Sequence, residues 1–224
     1  MIALLILLAL LPVAAILFFI YRHDHDPEPI RTICFAFLWG CVSVVPALLG
    51  EWVVDIEDPF LNATFGIAFV EEAAKLAMLM LYIWKHADFN DSFDAIVYSV
   101  TVSLGFAAVE NIMYVINGGL DVAILRALFS IPGHATFAIL MGYNFAKAKT
   151  HFYYGRRQQQ YTYLALALMV PTLAHGIYDF LAMTAQDHEE RIMLLLGFVG
   201  VIDIICIIMV RIAAKNDKPM VQDN

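Results

Sequence analysis

The sequence predicts an all-α protein, a polytopic transmembrane helical bundle of about seven spans, and three observations predict it. Of 224 residues, 62% are hydrophobic, and the mean hydropathy is +0.75, far above the usual range of soluble globular chains. Apolar stretches of roughly 20 residues, the length a helix needs to cross a hydrocarbon core about 30 Å thick, alternate with short polar segments. Basic residues also fall almost entirely into every second loop.

Met1 to Tyr21 is almost unbroken apolar sequence, with neither a basic leading segment nor a small-residue cleavage site, and is expected to remain as the first span. A polar, proline-broken loop with Asp26-Pro27-Glu28-Pro29 follows, because these residues cannot continue a helix. The second span covers about Ile30 to Trp52, and Asp55 to Pro59 forms an acidic turn. The third covers about Leu61 to Trp84. Asn90, Asp91 and Ser92 are N-cap candidates for the fourth, about Phe93 to Ile116, which Asn117-Gly118-Gly119 ends. The fifth runs from about Val122 to Ala146, and the loop after it, to Gln160, is the most polar and basic part of the chain. A sixth span, about Tyr161 to Thr184, precedes the polar loop Gln186 to Arg191, and a seventh covers about Ile192 to Ile212. Residues 1–214 therefore read as a single transmembrane domain, and 215–224 as a hydrophilic tail expected to be disordered.

Arg22, Arg31, Lys85, Lys147, Lys149, Arg156, Arg157, Arg211, Lys215 and Lys218 lie on one side of this scheme, and only Arg126 and Arg191 on the other. Basic loops stay cytoplasmic, which places the N-terminus outside and the C-terminus inside. A net charge of -8 with 13 lysines and arginines leaves no basic patch for nucleic acid. Cys34, Cys41 and Cys206 form no CxxC pair and read as buried small hydrophobes. Trp39, Trp52 and Trp84 read as interface residues at span ends.

Within the spans, ionisable residues require a reason, since each costs roughly 2.5 to 3.5 kcal/mol at the centre of a membrane helix on insertion scales. Glu71, Glu72 and Lys75 sit together in the third span. Their i, i+3 and i, i+4 spacing allows a plain structural ion pair, which is the alternative to a functional site. The fourth span carries Phe106-Ala-Ala-Val-Glu110-Asn111, the fifth Pro132-Gly-His134, and the sixth His175-Gly-Ile-Tyr178-Asp179. At about 1.5 Å of rise per residue, Glu71, Glu72, Glu110, His134 and His175 all reach one layer, between the midplane and the outer leaflet. His134 taken alone is as readily a helix-to-helix hydrogen-bonding residue. Asp179, one turn after His175, has the spacing by which a carboxylate fixes an imidazole's tautomer. Glu110 has no cation at helical spacing and must find a proton, metal or partner on another helix. Asp203 and Arg126 read mostly as structural, although Arg126 is able to pair with a carboxylate of the site.

Carboxylates and imidazoles in one membrane layer suit peptide hydrolysis, which needs a base for water and a donor for the oxyanion. One of the adjacent glutamates is the candidate base. Alternatively, His134, His175 and a glutamate such as Glu110 bind a divalent metal such as zinc in an open three-ligand site. There is no HExxH or GxSxG motif to choose between mechanisms.

Taken together, Glu71-Glu72-Ala-Ala-Lys75, Phe106-Ala-Ala-Val-Glu110-Asn111, His134 and His175-Gly-Ile-Tyr-Asp179 resemble the PrsW family of bacterial intramembrane proteases, within the CAAX prenyl-endopeptidase-like superfamily. The resemblance extends from the Asp26-Pro-Glu-Pro29 loop to the sixth span. It implies site-one cleavage of a single-pass membrane protein, typically an anti-sigma factor, in the bacterial cytoplasmic membrane. It also implies that Glu71, Glu72, Glu110, His134 and His175 are site residues, with Lys75, Asn111 and Asp179 in support. In prenyl-endopeptidase relatives the second motif ends in histidine, where this chain has Glu110. A proton-coupled transporter and a non-catalytic scaffold binding membrane helices are the competing classes. The absence of an internal repeat and of paired broken helices speaks against a transporter. A scaffold would still capture substrate after Glu→Gln changes.

Overall fold

A computed structural model of the chain describes residues 2–185 and 189–220, and every extended element in it is helical. In order these are α1 (Ile2–His23), α2 (Ile30–Val53), a composite helix over 59–83, α5 (Asp94–Leu125), α6 (Ile131–Tyr153), α7 (Arg157–Thr184) and α8 (Glu189–Lys215). The composite helix joins α3 (Pro59–Leu61), a π-helical stretch Asn62–Ala68, α4 (Phe69–Met78) and a second π stretch Leu79–Ile83. A third π stretch, Arg126–Ser130, links α5 to α6.

Among the described residues, five helical runs are long and apolar enough to cross a membrane: Leu5–His23, Ile30–Val53, Asp94–Tyr153, Arg157–Thr184 and Glu189–Lys215. Two features separate this figure from the seven expected spans. The run Asp94–Tyr153 is 60 residues long and breaks at Gly119, whose φ of 72° and ψ of -154° leave the helical region. A positive φ is accessible to glycine because it lacks a Cβ. The expected stop at Asn117-Gly118-Gly119 therefore falls on the break between two helical stretches of this run. Residues 59–83 fall outside the five because π turns divide them and Glu71, Glu72 and Lys75 lower their hydropathy.

α5 is the central element, packed on α1, α2 and α6. Nearly every side chain from Asp94 to Ala108 is buried, including Tyr98, Leu104 and Phe106. Close backbone approach makes this possible. A Cβ on Gly40 would collide with the Val102 carbonyl, and one on Gly105 with the Phe37 carbonyl, so α2 and α5 touch backbone to backbone. Gly176 does the same for α7, where an added Cβ would lie 2.6 Å from Thr64 Oγ1. That contact presses the helix bearing His175 against the helix bearing the glutamates.

Some surface expectations change. Cys206 is buried and Cys41 partly so, but Cys34 is exposed on the outside of the bundle. Trp84 is a core residue, packed edge-on against Phe145 and Phe152, and Lys149 donates to its backbone carbonyl. Trp39 lies well inside α2, away from either end. After α8, Asp217 accepts from Ser92 Oγ at 3.0 Å and from the Phe93 amide at 2.8 Å, and Met220 is buried beside Asn90. The remainder of the expected tail, 221–224, and residues 186–188 of the expected polar loop lie outside the described residues.

Candidate active site

The composite helix delivers Glu71 and Glu72 one turn, and Lys75 two turns, after its first π stretch, and α6 delivers His134 one turn after another. π turns insert an extra residue per turn and re-aim the side chains that follow, which is why they recur at functional sites. α5 contributes Glu110 and α7 contributes His175 and Asp179. Asp58 caps the start of the composite helix, accepting from the Leu61 amide at 2.8 Å, and Pro59 occupies the first turn.

The four elements meet, as the depth argument requires. Lys75 Nζ lies 3.0 Å from Glu71 Oε2, 2.8 Å from Glu72 Oε1 and 3.3 Å from His134 Nδ1. His175 Nδ1 is 3.0 Å from Glu72 Oε1, and its Nε2 is 3.3 Å from Asp179 Oδ2, so carboxylates clamp the ring at both nitrogens. Phe137 stacks on the same ring, with centroids 4.7 Å apart. His134 Nε2 is 2.9 Å from Glu110 Oε2, which also ion-pairs with Arg126 Nη2 at 2.8 Å. Glu110 therefore finds the cross-helix partners that its isolation on α5 demands. The ion pair between Glu71, Glu72 and Lys75 exists too, but inside a larger network.

A cavity of about 630 Å³ opens along this network. Glu71, Glu110, His134, His175 and Asp179 line it, whereas Glu72, fully buried, does not. Of the adjacent glutamates only Glu71 therefore reaches the cavity. Glu72 Oε2 is buried without a hydrogen-bond partner, a lone pair that a water, proton or cation would satisfy. Glu51, from the last turns of α2, also lines the cavity, as do Arg126 and Tyr178. Glu51 does not stand out in the sequence, because a carboxylate near the end of an apolar span is ordinarily satisfied by water. Asp203 stays structural, accepting from Thr136 Oγ1 at 2.6 Å.

Glu71, His134 and His175 offer donor atoms that all lie within 4.8 Å of one another, and they form the one such group among the described residues. Glu110, expected as a ligand beside the histidines, sits behind His134 on its far nitrogen instead. Two histidines and a carboxylate match the donor set of hydrolytic zinc sites. One further observation fits a cation there. Glu110 sits on His134 Nε2, and a carboxylate on a histidine's far nitrogen is the usual support of a metal-binding imidazole. A bound cation would take the place of the Lys75 ammonium, which lies between Glu71 and His134.

The family description "PrsW family intramembrane metalloprotease" matches residues 28–209, most of the chain. The chain belongs to that family. It is an intramembrane protease, as the four paired motifs imply. Among relatives of the PrsW family, a protein named Protease PrsW from Oceanobacillus iheyensis is 36% identical over 209 residues, covering 92% of this chain and 94% of its own. Proteins of the same name from Bacillus subtilis and Clostridioides difficile are 35% and 34% identical, covering 79% and 87% of this chain and 80% and 85% of their own. No solved structure matches the chain.

Proposed function

We propose that this chain performs site-one cleavage of a single-pass membrane protein, of the anti-sigma factor kind, in a bacterial cytoplasmic membrane that it crosses seven times. The crossing number counts the run Asp94–Tyr153 as two passes about Gly119 and the composite helix as one more. The bias of basic residues supports an outside N-terminus and a cytoplasmic C-terminus. In that orientation the cavity belongs to the outer half, because it reaches Glu51 at the end of α2 and Ala185 just past α7.

The convergence of Glu71, His134 and His175 on one cavity wall carries the reading. Glu71 is the carboxylate placed to meet the attacking water, since Glu72 does not reach the cavity. Glu72 works one layer back, holding His175 through Nδ1 and Lys75 through its ammonium. His175, held by Glu72 at Nδ1 and by Asp179 at Nε2, would turn one nitrogen to the cation while a carboxylate keeps the other. Glu110 fixes His134 through Nε2. Glu71, His134 and His175 would hold a divalent cation, which would supply Lewis acidity toward the scissile carbonyl and water.

The test is cleavage of a co-expressed single-pass substrate, found by comparing shed ectodomains from cells carrying active protein and a Glu71→Gln variant. Glu71→Gln and His175→Ala are expected to lower cleavage by a factor of about 10³ or more, and a zinc chelator to abolish it reversibly. Unchanged shedding in both variants would overturn the assignment.

A further inference from the structure

Arg126 has no role in the chemistry above, yet it lines the cavity and completes a continuous chain of contacts. Ala9 of α1, fully buried, accepts at its carbonyl from Asn111 Nδ2 at 2.9 Å. Asn111 Oδ1 accepts from Arg126 Nε at 2.8 Å. Arg126 Nη2 lies 2.8 Å from Glu110 Oε2, and that oxygen is 2.9 Å from His134 Nε2. We propose that Arg126 is a positioning residue of the protease, holding Glu110 against His134 while Asn111 anchors it to α1.

Proton bookkeeping gives the chain a direction. The Lys75 ammonium has only protons to offer, so the His134 nitrogen facing it at 3.3 Å, Nδ1, presents a lone pair. The ring proton is therefore on Nε2 and is donated to Glu110. This is the tautomer that leaves an imidazole lone pair at Nδ1, beside the Lys75 ammonium that also contacts Glu71. Asn111 is fully buried with both amide ends occupied, and a flipped amide would set its NH₂ against the guanidinium. The Arg126 Nη2 hydrogens do not point along the line to Glu110 Oε2, so the contact there is an ion pair and not an aligned hydrogen bond. Coulombic attraction depends on charge and distance. A lysine at 126 should therefore preserve part of the effect while losing the tether to Asn111. Tyr114 covers the guanidinium, with Cζ 4.3 Å from the ring centroid. The anchor at Ala9 lies before residue 28, where the family match begins, so α1 reaches the site through this chain.

The inference rests on His134 being a site residue, and the experiment separates the two claims. Full-length protein in detergent is titrated with Co²⁺, following its visible absorption, alongside Arg126→Ala, Arg126→Lys, Asn111→Ala and His134→Ala. Arg126→Ala is expected to weaken Co²⁺ binding about 10- to 100-fold, as loss of outer partners does at metal sites. Arg126→Lys should recover part of this, and Asn111→Ala should lose less than Arg126→Ala. Folded Arg126→Ala protein that binds Co²⁺ within twofold of the wild type overturns the proposal. Should Arg126→Ala fail to fold, Arg126→Lys and Asn111→Ala carry the comparison. ¹⁵N spectra of histidine-labelled protein decide the matter without metal: the wild type should show His134 as the Nε2–H tautomer, and Arg126→Ala should lose that fixed assignment. If His134→Ala retains full Co²⁺ affinity, or the wild type binds none, the cation reading fails while the spectra still judge Arg126. An unchanged tautomer in Arg126→Ala also overturns the proposal.

Discussion

The two ends of the bundle hold buried carboxylates in opposite ways. At the cavity end, Glu71 and Glu72 touch Lys75 and Glu110 touches Arg126, so charge is balanced by charge. At the other end, Asp24, Glu28, Asp94 and Asp217 gather around the first loop and the start of α5, and among the described residues none of them lies within ion-pair distance of a lysine or arginine. There Glu28 shares hydrogen bonds with the Tyr98 hydroxyl and the Asp94 carboxyl, an arrangement that needs a shared proton. Burial pushes the Glu28 carboxyl up to about 7 and that of Asp24 up to about 6. The difference lies in what holds the acids: fixed cations keep them in one geometry at the cavity, whereas protons hold a junction whose strength follows pH.

The contrast is broken most directly at Lys75. Lys75→Met leaves two buried glutamates without their cation and is expected to destabilise the fold by about 3–5 kcal/mol, read as a fall in the unfolding midpoint in detergent. Adding Glu72→Gln should restore part of the loss. Unfolding at the wild-type midpoint would show that Lys75 does not balance the pair. A smaller effect is expected from Asp217→Ala, which removes the acceptor for Ser92 Oγ and the Phe93 amide. About 1 kcal/mol of local stability should disappear, seen as faster hydrogen exchange at Phe93 with the cavity unaffected.

The smallest effect concerns pH. Glu28 and Asp24 bind protons more tightly in the folded chain than in the unfolded one. The folded state therefore gains stability as pH falls through about 7 and 6, and loses it as pH rises through the same window. The amides of Ser92 and Met220, bonded to Lys218 and Asn90 carbonyls, should exchange more slowly at pH 5.5 than at pH 8 after correction for intrinsic rates. Equal protection at both would remove the distinction between the two ends.

Much of this organisation is visible in residue order. Apolar runs announce a helical membrane protein, and charged residues inside them announce a site, because both follow from the cost of putting polar groups in hydrocarbon. The meeting of Glu71, Glu72, Glu110, His134, His175 and Asp179 in one network was legible for that reason. Glu51 was not, since a carboxylate near a span end is also satisfied by water, and only the course of α2 turns it toward the cavity. The break at Gly119 was legible because adjacent glycines end a helix readily, although the angle between the two stretches depends on how they pack. Trp84 looked like an interface residue until α6 brought Lys149 and Phe145 against it.

The chain order alone thus determined that four helices carry ionisable groups to one depth. Tertiary structure decided their placement: Glu71 at the cavity, Glu72 behind it, and Glu110 on the far nitrogen of His134. Depth follows from helical rise along one chain. Facing and pairing depend on rotations set by π turns and by backbone contacts at Gly40, Gly105 and Gly176, and those arise only when separate helices meet.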